Sequence, residues 1–155
     1  GLSLVGSEMC IRDSIMTTIR EGAYAARLRA AGLRPTRQRL ALAKLLLAGP
    51  NRHVTAEQLH REAELNGLRV SLATVYNTLH QFTESQLMRE VVVEPGRVYF
   101  DTNMTPHHHF YNVATGALTD IDADSLEIRG LPAPPAGTAV ASVDVIVRVS
   151  DEKRN

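Results

Sequence analysis

The chain has only one cysteine, Cys10, among 155 residues, and this scarcity excludes two kinds of structure. A single thiol can form neither an internal disulfide framework nor a structural zinc site made of four cysteines. Long apolar runs are missing too, since none approaches the about 20 residues that a membrane-spanning helix requires. We therefore expect no membrane partner, and a cytoplasmic location is the default expectation.

The first residues lack the features of a targeting signal. Residues 1–14 have no basic opening and no small-residue cleavage pattern, and they carry Glu8 and Asp13, so they make a poor signal peptide. Their sequence is typical of the translated adapter fragments that contaminate the ends of assembled sequences. We therefore expect residues 1–15 to be a non-native leader and the native protein to begin near Met16.

A net charge is also missing, because 17 Lys and Arg balance 17 Asp and Glu. The balance hides an asymmetry: residues 15–90 hold eleven Lys and Arg against six Asp and Glu, whereas residues 91–155 hold five against nine. A basic first half suits a polyanion, and an acidic second half suits metal or dimer contacts. Phosphate contacts, or alternatively a merely solvated face, are predicted around Arg27, Arg29, Arg34, Arg37 and Arg39.

The segment Ser71–Ser85 is predicted to be an amphipathic helix that recognises DNA. Ser71 is a good N-cap, and an apolar face recurs at helical spacing through Leu72, Val75, Leu79 and Phe82. The opposite face carries uncharged polar side chains of the types that contact base edges, namely Thr74, Tyr76, Asn77 and Thr78. An ordinary core helix is the alternative for this segment alone.

Three further helices and a hairpin surround this segment. Helices are predicted at about 17–31, at 37–47 after the cap Thr36, and from the capping box 55–58 to 66–67. Strands at 91–93 and 98–100 flank Pro95-Gly96, which fits the centre of a type II turn. This order predicts an α+β chain whose residues 16–101 form a winged helix-turn-helix, with Ser71–Ser85 as the recognition helix.

The remaining residues predict a second, smaller domain. A linker at 102–106 precedes a small α/β domain for dimerisation and ligand sensing at 107–155. This domain contains a hairpin at 110–121, a helical turn at 124–129 and a last strand at 140–149. Alternation places Val143, Val145, Val147 and Val149 on one apolar face of that strand. A domain of so few residues has a small hydrophobic core. We therefore expect it to bury additional apolar surface by forming a dimer.

Three consecutive histidines open the second domain. On a strand, His107 and His109 share one face and His108 takes the other, so two imidazoles could ligate one metal while the third serves another site or a haem iron. Nearby carboxylates offer oxygen ligands. The alternative is an exposed polar strand end that binds nothing.

Four ordered segments resemble the signature segments of the ferric uptake regulator family. They are Leu33–Arg39, Asn51–Leu59, Ser71–Tyr76 and His107–His109, and the resemblance covers about residues 28–149. It implies a homodimeric bacterial transcription regulator with an N-terminal winged helix, a C-terminal α/β dimerisation domain, and metal sites between and within them.

The resemblance also assigns roles to single residues. Tyr76 matches the family's DNA-contacting tyrosine, and Asn77 stands where many members have Arg. With the basic and polar residues singled out above, the predicted DNA-binding set is Arg37, Arg39, Ser71, Thr74, Tyr76 and Asn77.

The predicted metal ligands come from both halves of the chain. His53 matches the histidine that the winged helix gives to an inter-domain site, and Asp101 matches an acidic ligand after the wing. His107 and His108 match ligands of the histidine cluster within one residue of alignment. Asp120 or Asp122, and Glu127, fall near later acidic ligands. The predicted set is His53, Asp101, His107, His108, His109, Asp120 and Glu127.

Two departures from the family's pattern resemble the iron response regulator branch, whose members sense haem. Phe110-Tyr111 follow the histidines where other members have Asp-His, and Ala114-Thr115-Gly116 stands where a first Cys-x-x-Cys pair of a structural zinc site would be. The branch resemblance implies that haem weakens DNA binding, whereas other members bind DNA when loaded with metal.

The resulting interpretation is a dimeric, sequence-specific DNA-binding regulator of iron and haem homeostasis, mainly a repressor. It binds a palindromic AT-rich operator on double-stranded DNA and responds to haem or Fe²⁺ at its histidines. A Zn²⁺- or Mn²⁺-sensing regulator of the same family is one alternative. A metallo-hydrolase is an alternative of another class, but no residue stands out as base or nucleophile and no His-Glu-x-x-His helix occurs, so we expect no enzyme.

Overall fold

The computed structural model describes the backbone of residues 2–153 and the side chains of residues 11–16 and 18–153. The chain divides into two compact units. Unit 1 comprises Gly1–Val92 and Gly96–Met104, and unit 2 comprises Val93–Pro95 and Thr105–Asn155. The boundary between Met104 and Thr105 falls inside the predicted linker 102–106, and the other two boundaries fall inside the hairpin, on either side of Val93–Pro95.

Helices and a short hairpin make up unit 1. The helices are α1 (Leu2–Ala30), α2 (Arg37–Leu47), α3 (Ala56–Leu65) and α4 (Leu72–Glu84). The strands are β1 (His53–Val54), β2 (Arg89–Glu94) and β3 (Arg97–Asp101), which pair in the order β1-β3-β2. Helices followed by a hairpin confirm the predicted winged-helix arrangement.

Side-chain caps fix where three of these helices begin. Thr36 and Ser71 accept bonds from the backbone N–H groups of Arg39 and Thr74. At α3, Thr55 Oγ1 accepts from Gln58 N at 3.2 Å while Gln58 Oε1 accepts from Thr55 N at 2.9 Å, which completes the predicted capping box. Each cap satisfies an N–H group that has no partner inside its helix.

The core of unit 1 lies between α1, α2, α3, α4 and the hairpin. It buries one stripe from each helix, including Leu28, Leu42, Leu46, Leu59, Val75, Leu79 and Phe82. The predicted apolar face of α4 is therefore correct. Thr78, which the sequence placed on the polar face, is only 5% exposed and belongs to the buried side.

The hairpin turn has the predicted chemistry. Pro95 and Gly96 occupy its centre, and Gly96 has a φ of +77°. A type II turn requires this positive φ at its third position, where glycine has no Cβ to clash.

Unit 2 is built on a second sheet with strand order β5-β4-β6. Its strands are β4 (His107–Asn112), β5 (Leu118–Asp122) and β6 (Ile146–Val149), and a 3₁₀ turn spans Ala123–Ser125. Strand β4 is antiparallel to β5 and parallel to β6, with His109 opposite both Asp120 and Ile146. The central strand is thus the one that carries the histidines.

Three predicted elements differ from the structure. The first helix begins at Leu2 rather than near residue 17, and the turn at 123–125 replaces the predicted helical turn at 124–129. The last strand covers four residues, not 140–149. In the parallel pairing of β6 with β4, Ile146 lies opposite His109. Because β4 begins at His107, two residues earlier, the register offers no β4 residue as a backbone partner to residues before 144.

None of the helices in the described part of the chain is long and apolar enough to cross a membrane.

We expect Thr55→Ala to lower the free energy of unfolding by about 1 kcal/mol, because it leaves the Gln58 N–H without its acceptor. Thr55→Ser keeps a hydroxyl and serves as the matched control. Urea unfolding followed by circular dichroism measures both variants. Equal stability of the two would show that the capping box contributes nothing.

Candidate functional site

A triad of metal-ligand side chains lies on one face of the sheet in unit 2. His107 and His109 alternate along β4, and Asp120 on β5 lies opposite His109. The two Nε2 atoms are 3.0 Å apart, and Asp120 Oδ1 is 3.5 Å from each of them. The two histidines are 5% and 2% exposed, so the alternative of a polar strand end is wrong about their exposure.

The backbone determines which nitrogen His107 offers to a ligand. Its Nδ1 lies 2.6 Å from the carbonyl oxygen of Thr105, and a carbonyl oxygen only accepts, so Nδ1 carries the proton. In the neutral ring, Nε2 is then the acceptor nitrogen, and it lies 3.0 Å from His109 Nε2. A histidine whose second nitrogen is held by a carbonyl is the usual arrangement around a bound metal.

A second ligand pair lies in unit 1, where β1 meets β3. His53 is directly opposite Asp101 in this pairing, and its Nε2 lies 3.2 Å from Asp101 Oδ2. Asp101 is fully buried, and its other oxygen accepts the N–H of Asn103 at 2.8 Å. The carboxylate is thus oriented by the backbone and turned towards an imidazole.

Both groups fit a divalent metal ion. Imidazole nitrogens and carboxylate oxygens are the donors that Zn²⁺, Fe²⁺ and Mn²⁺ accept in proteins. One ligand atom of each triad residue lies within 4.8 Å of those of the other two. The two imidazoles of the triad are buried, whereas the Asp120 side chain is 34% exposed.

Two predicted ligands are not brought to the triad. His108 is buried on the opposite face, and its Nδ1 accepts the N–H of Val145 at 3.1 Å, so it fastens the start of β6 to β4. Glu127 is exposed and accepts from Arg129 Nε at 2.7 Å. The alternation of β4 predicted the separation of His108. Glu127 was expected from the resemblance, and it lies beyond the 3₁₀ turn Ala123–Ser125.

The outer face of α4 carries the predicted DNA-contacting side chains. Asn77 is exposed and Tyr76 is half-buried at the surface. The hydroxyls of Ser71 and Thr74 are 2.9 Å apart, so they pair with each other at the start of the helix. Tyr76 also lies near His80, with ring centroids 6.4 Å apart.

The Tyr76 hydroxyl has a charged partner on the neighbouring helix. It donates to Glu57 Oε1 on α3 at 2.7 Å. This hydrogen bond lowers the pKa of Glu57 and raises the pKa of Tyr76 above its ordinary value, because it stabilises the carboxylate and the protonated phenol together.

The two arginines predicted to contact phosphate are in different situations. Arg37 is exposed at the first turn of α2. The guanidinium of Arg39 donates twice to Gln81 Oε1 on α4, at 3.1 and 2.9 Å, and once to the carbonyl of Arg34. Arg39 therefore fastens α4 to α2, and three of its five N–H groups are already in use.

Sequence reasoning missed the partners that hold these side chains. Glu57, Gln81 and Thr105 had no predicted role. Glu57 is 19 residues from Tyr76 and Gln81 is 42 residues from Arg39, so no local spacing could have indicated either bond.

Comparison with known proteins identifies the family. A model of the ferric uptake regulator family matches residues 30–146. The ferric uptake regulation protein of Shigella flexneri is 34% identical over 103 residues, which cover 66% of this chain and 70% of that protein. The peroxide-responsive repressor PerR of Staphylococcus aureus (strain Mu50) is 30% identical over 101 residues, 65% of this chain and 68% of that protein.

Solved structures show the same fold. The ferric uptake regulator of Pseudomonas aeruginosa with manganese superposes with a TM-score of 0.66 at 26% identity, over 84% of this chain and 98% of that one. The Vibrio cholerae regulator gives 0.65 at 19% identity, over 82% and 98%. The chain therefore belongs to the ferric uptake regulator family, whose members are metal-responsive, DNA-binding transcription regulators and not enzymes.

Proposed function

We propose that this chain is a homodimeric repressor of iron-homeostasis genes whose DNA binding depends on a divalent metal ion, Fe²⁺ or Mn²⁺, held by His107, His109 and Asp120. The observation that supports it most is the pair of buried Nε2 atoms 3.0 Å apart beside a carboxylate. A bound ion supplies positive charge at this point. His53 and Asp101 are proposed as a separate pair of metal ligands within unit 1.

The geometry favours a metal ion over haem at these two histidines. Ligands on opposite sides of one haem iron are about 4 Å apart, since each lies about 2 Å from the metal, which exceeds the observed 3.0 Å. A haem response and a place in the iron response regulator branch therefore remain predictions that rest on the sequence departures alone. Zn²⁺ is the other candidate ion, because imidazole and carboxylate donors also bind it.

The ligand pair in unit 1 offers a direct link to DNA binding. Strand β1 is followed at once by Thr55, the cap of α3. Fixing His53 against Asp101 would hold β1 on β3 and so stiffen the start of α3 and the hairpin together. These elements support α4, which is the proposed recognition helix.

Recognition of a palindromic AT-rich operator is proposed for the outer face of α4. Short polar and aromatic side chains there suit base edges and thymine methyls, and Ser71, Thr74, Tyr76 and Asn77 supply them. Arg37 would contact phosphate, and Arg39 would do so with the N–H groups that Gln81 leaves free. A cytoplasmic location is also part of the proposal, because the DNA of a bacterial cell lies in its cytoplasm.

Dimerisation is proposed through the second face of the sheet in unit 2. Phe110 on β4 and Val147 on β6 are paired neighbours on that face, and Phe110 is 40% exposed. Val140 and Val143, which precede β6 in the chain, are also exposed, at 50% and 37%. Exposed apolar side chains on a small unit are typical of an interface between protomers.

Replacing His109 by Ala is expected to weaken Mn²⁺ binding at least about tenfold, the lower end of what even an outer-shell partner contributes. Isothermal titration with Mn²⁺ and Fe²⁺ measures it, and His80→Ala, an exposed histidine outside the triad, is the control. Gel shifts then test whether Mn²⁺ strengthens operator binding by the wild type and fails to do so for His109→Ala. Haem sensing would be supported instead by a Soret band and a haem-dependent change in operator affinity, both lost when His107, His108 and His109 are replaced. In that case Mn²⁺ and Fe²⁺ should not change operator affinity.

Arg37→Ala is expected to weaken binding to every DNA sequence alike and to reduce the slope of log affinity against log salt by about 1. Tyr76→Ala is expected to cost about 1–3 kcal/mol and to relax base preference. Titrations of operator and random duplexes at several salt concentrations separate the two effects, with the exposed Arg129→Ala as the charge control. A wild-type protein that binds no duplex with any metal would refute the proposed function.

Placing a charge in the proposed interface should separate the protomers. Phe110→Asp is expected to shift sedimentation towards the monomer, because an unpaired carboxylate would be buried between copies. Val92→Asp changes a comparably exposed apolar residue of unit 1, 57% exposed, and should leave the dimer intact. The placement of the interface is wrong if both variants sediment alike.

A further inference from the structure

The hydrogen bond between Tyr76 and Glu57 has a fixed direction. An ionised carboxylate only accepts, so the Tyr76 hydroxyl must donate its single proton across the 2.7 Å to Glu57 Oε1. The phenolic oxygen that remains can only accept. A tyrosine without this partner could donate or accept according to what it meets.

Local structure holds both partners in place. Thr55 caps α3 just before its first turn, where Glu57 lies, and Ser71 caps α4 before Tyr76. The two helices pack against each other through the buried core residues Leu59, Val75 and Leu79. A negative charge in the first turn of α3 is also favourable to the helix dipole. The bond therefore joins side chains on two fixed helices.

The direction of this bond decides which groups on DNA Tyr76 can meet. Phosphate oxygens only accept, so an acceptor hydroxyl gains nothing from them, and the adjacent carboxylate repels them. In the major groove, adenine N6 and cytosine N4 are donors on base edges, and the thymine methyl suits the phenol ring. An acceptor tyrosine is thus matched to bases and mismatched to the backbone.

We propose that Glu57 is a specificity-determining residue: it occupies the proton of the Tyr76 hydroxyl, so that Tyr76 meets DNA as an acceptor and selects base-edge donors over phosphate oxygens. This inference rests on the proposed function, in which α4 is the recognition helix. Glu57 is a positioning residue here, since it acts through Tyr76.

Two substitutions separate hydrogen-bond direction from charge. Glu57→Gln removes the charge but keeps a side chain of the same shape whose amide oxygen can accept the Tyr76 proton, whereas Glu57→Ala removes both the charge and the acceptor. Each is combined with wild-type Tyr76 and with Tyr76→Phe. The quantity measured is the ratio of affinities for the operator and for a random duplex of equal length, with Mn²⁺ present.

We expect Glu57→Ala to reduce this ratio about two- to tenfold relative to Glu57→Gln, the range that one ordinary hydrogen bond accounts for. The reason is that a freed hydroxyl can donate to phosphates of any sequence. In the Tyr76→Phe background the two substitutions should give equal ratios. Equal ratios with Tyr76 present, or a difference that persists in the Tyr76→Phe background, would overturn the inference while operator binding itself stands.

A spectroscopic titration tests the bond without DNA. The chain has four tyrosines, and subtracting the titration of the Tyr76→Phe variant isolates the tyrosinate absorbance of Tyr76. Tyr76 should ionise at higher pH in the wild type than in Glu57→Ala, because its proton is held by the carboxylate. Identical titrations would show that the bond is absent and would overturn the inference even if the protein binds its operator.

Discussion

The packing of the apolar stripe of α4 into unit 1 is the constraint on which the proposed DNA-binding surface depends. Val75, Leu79 and Phe82 are each at most 1% exposed, so the helix cannot rotate about its axis without exposing them to water. That fixed rotation turns Asn77 outward and places Tyr76 beside α3. Arg39 and Gln81 add a polar link between α2 and α4, which limits sliding along the same contact.

The alternation of a strand plays the corresponding part in unit 2. Because side chains on β4 alternate between faces, a run of three histidines is divided into a pair and a single residue. The pair meets Asp120 from the adjacent strand, while His108 accepts the N–H of Val145 and begins the pairing of β6. One short sequence therefore supplies ligand atoms on one face and holds the sheet together on the other.

Both candidate sites use the same means of fixing a functional side chain. A partner that can only accept, such as the Thr105 carbonyl or the Glu57 carboxylate, determines where the proton of its neighbour lies. His107 is left with its lone pair on Nε2, and Tyr76 is left with an acceptor oxygen. In both cases the position of the proton follows from one short donor–acceptor distance. The distance is 2.6 Å from His107 Nδ1 to the Thr105 carbonyl oxygen and 2.7 Å from the Tyr76 hydroxyl to Glu57 Oε1.

The sequence by itself determined what depends on local periodicity and local capping. The bounds of α2, the capping box at Thr55, the turn at Gly96 and the division of the histidines all follow from neighbours within a few residues. The tertiary structure alone decided the contacts between distant residues: Glu57 with Tyr76, Arg39 with Gln81, and the short extent of β6. These depend on how helices and strands pack, and packing brings together residues whose separation along the chain carries no signal.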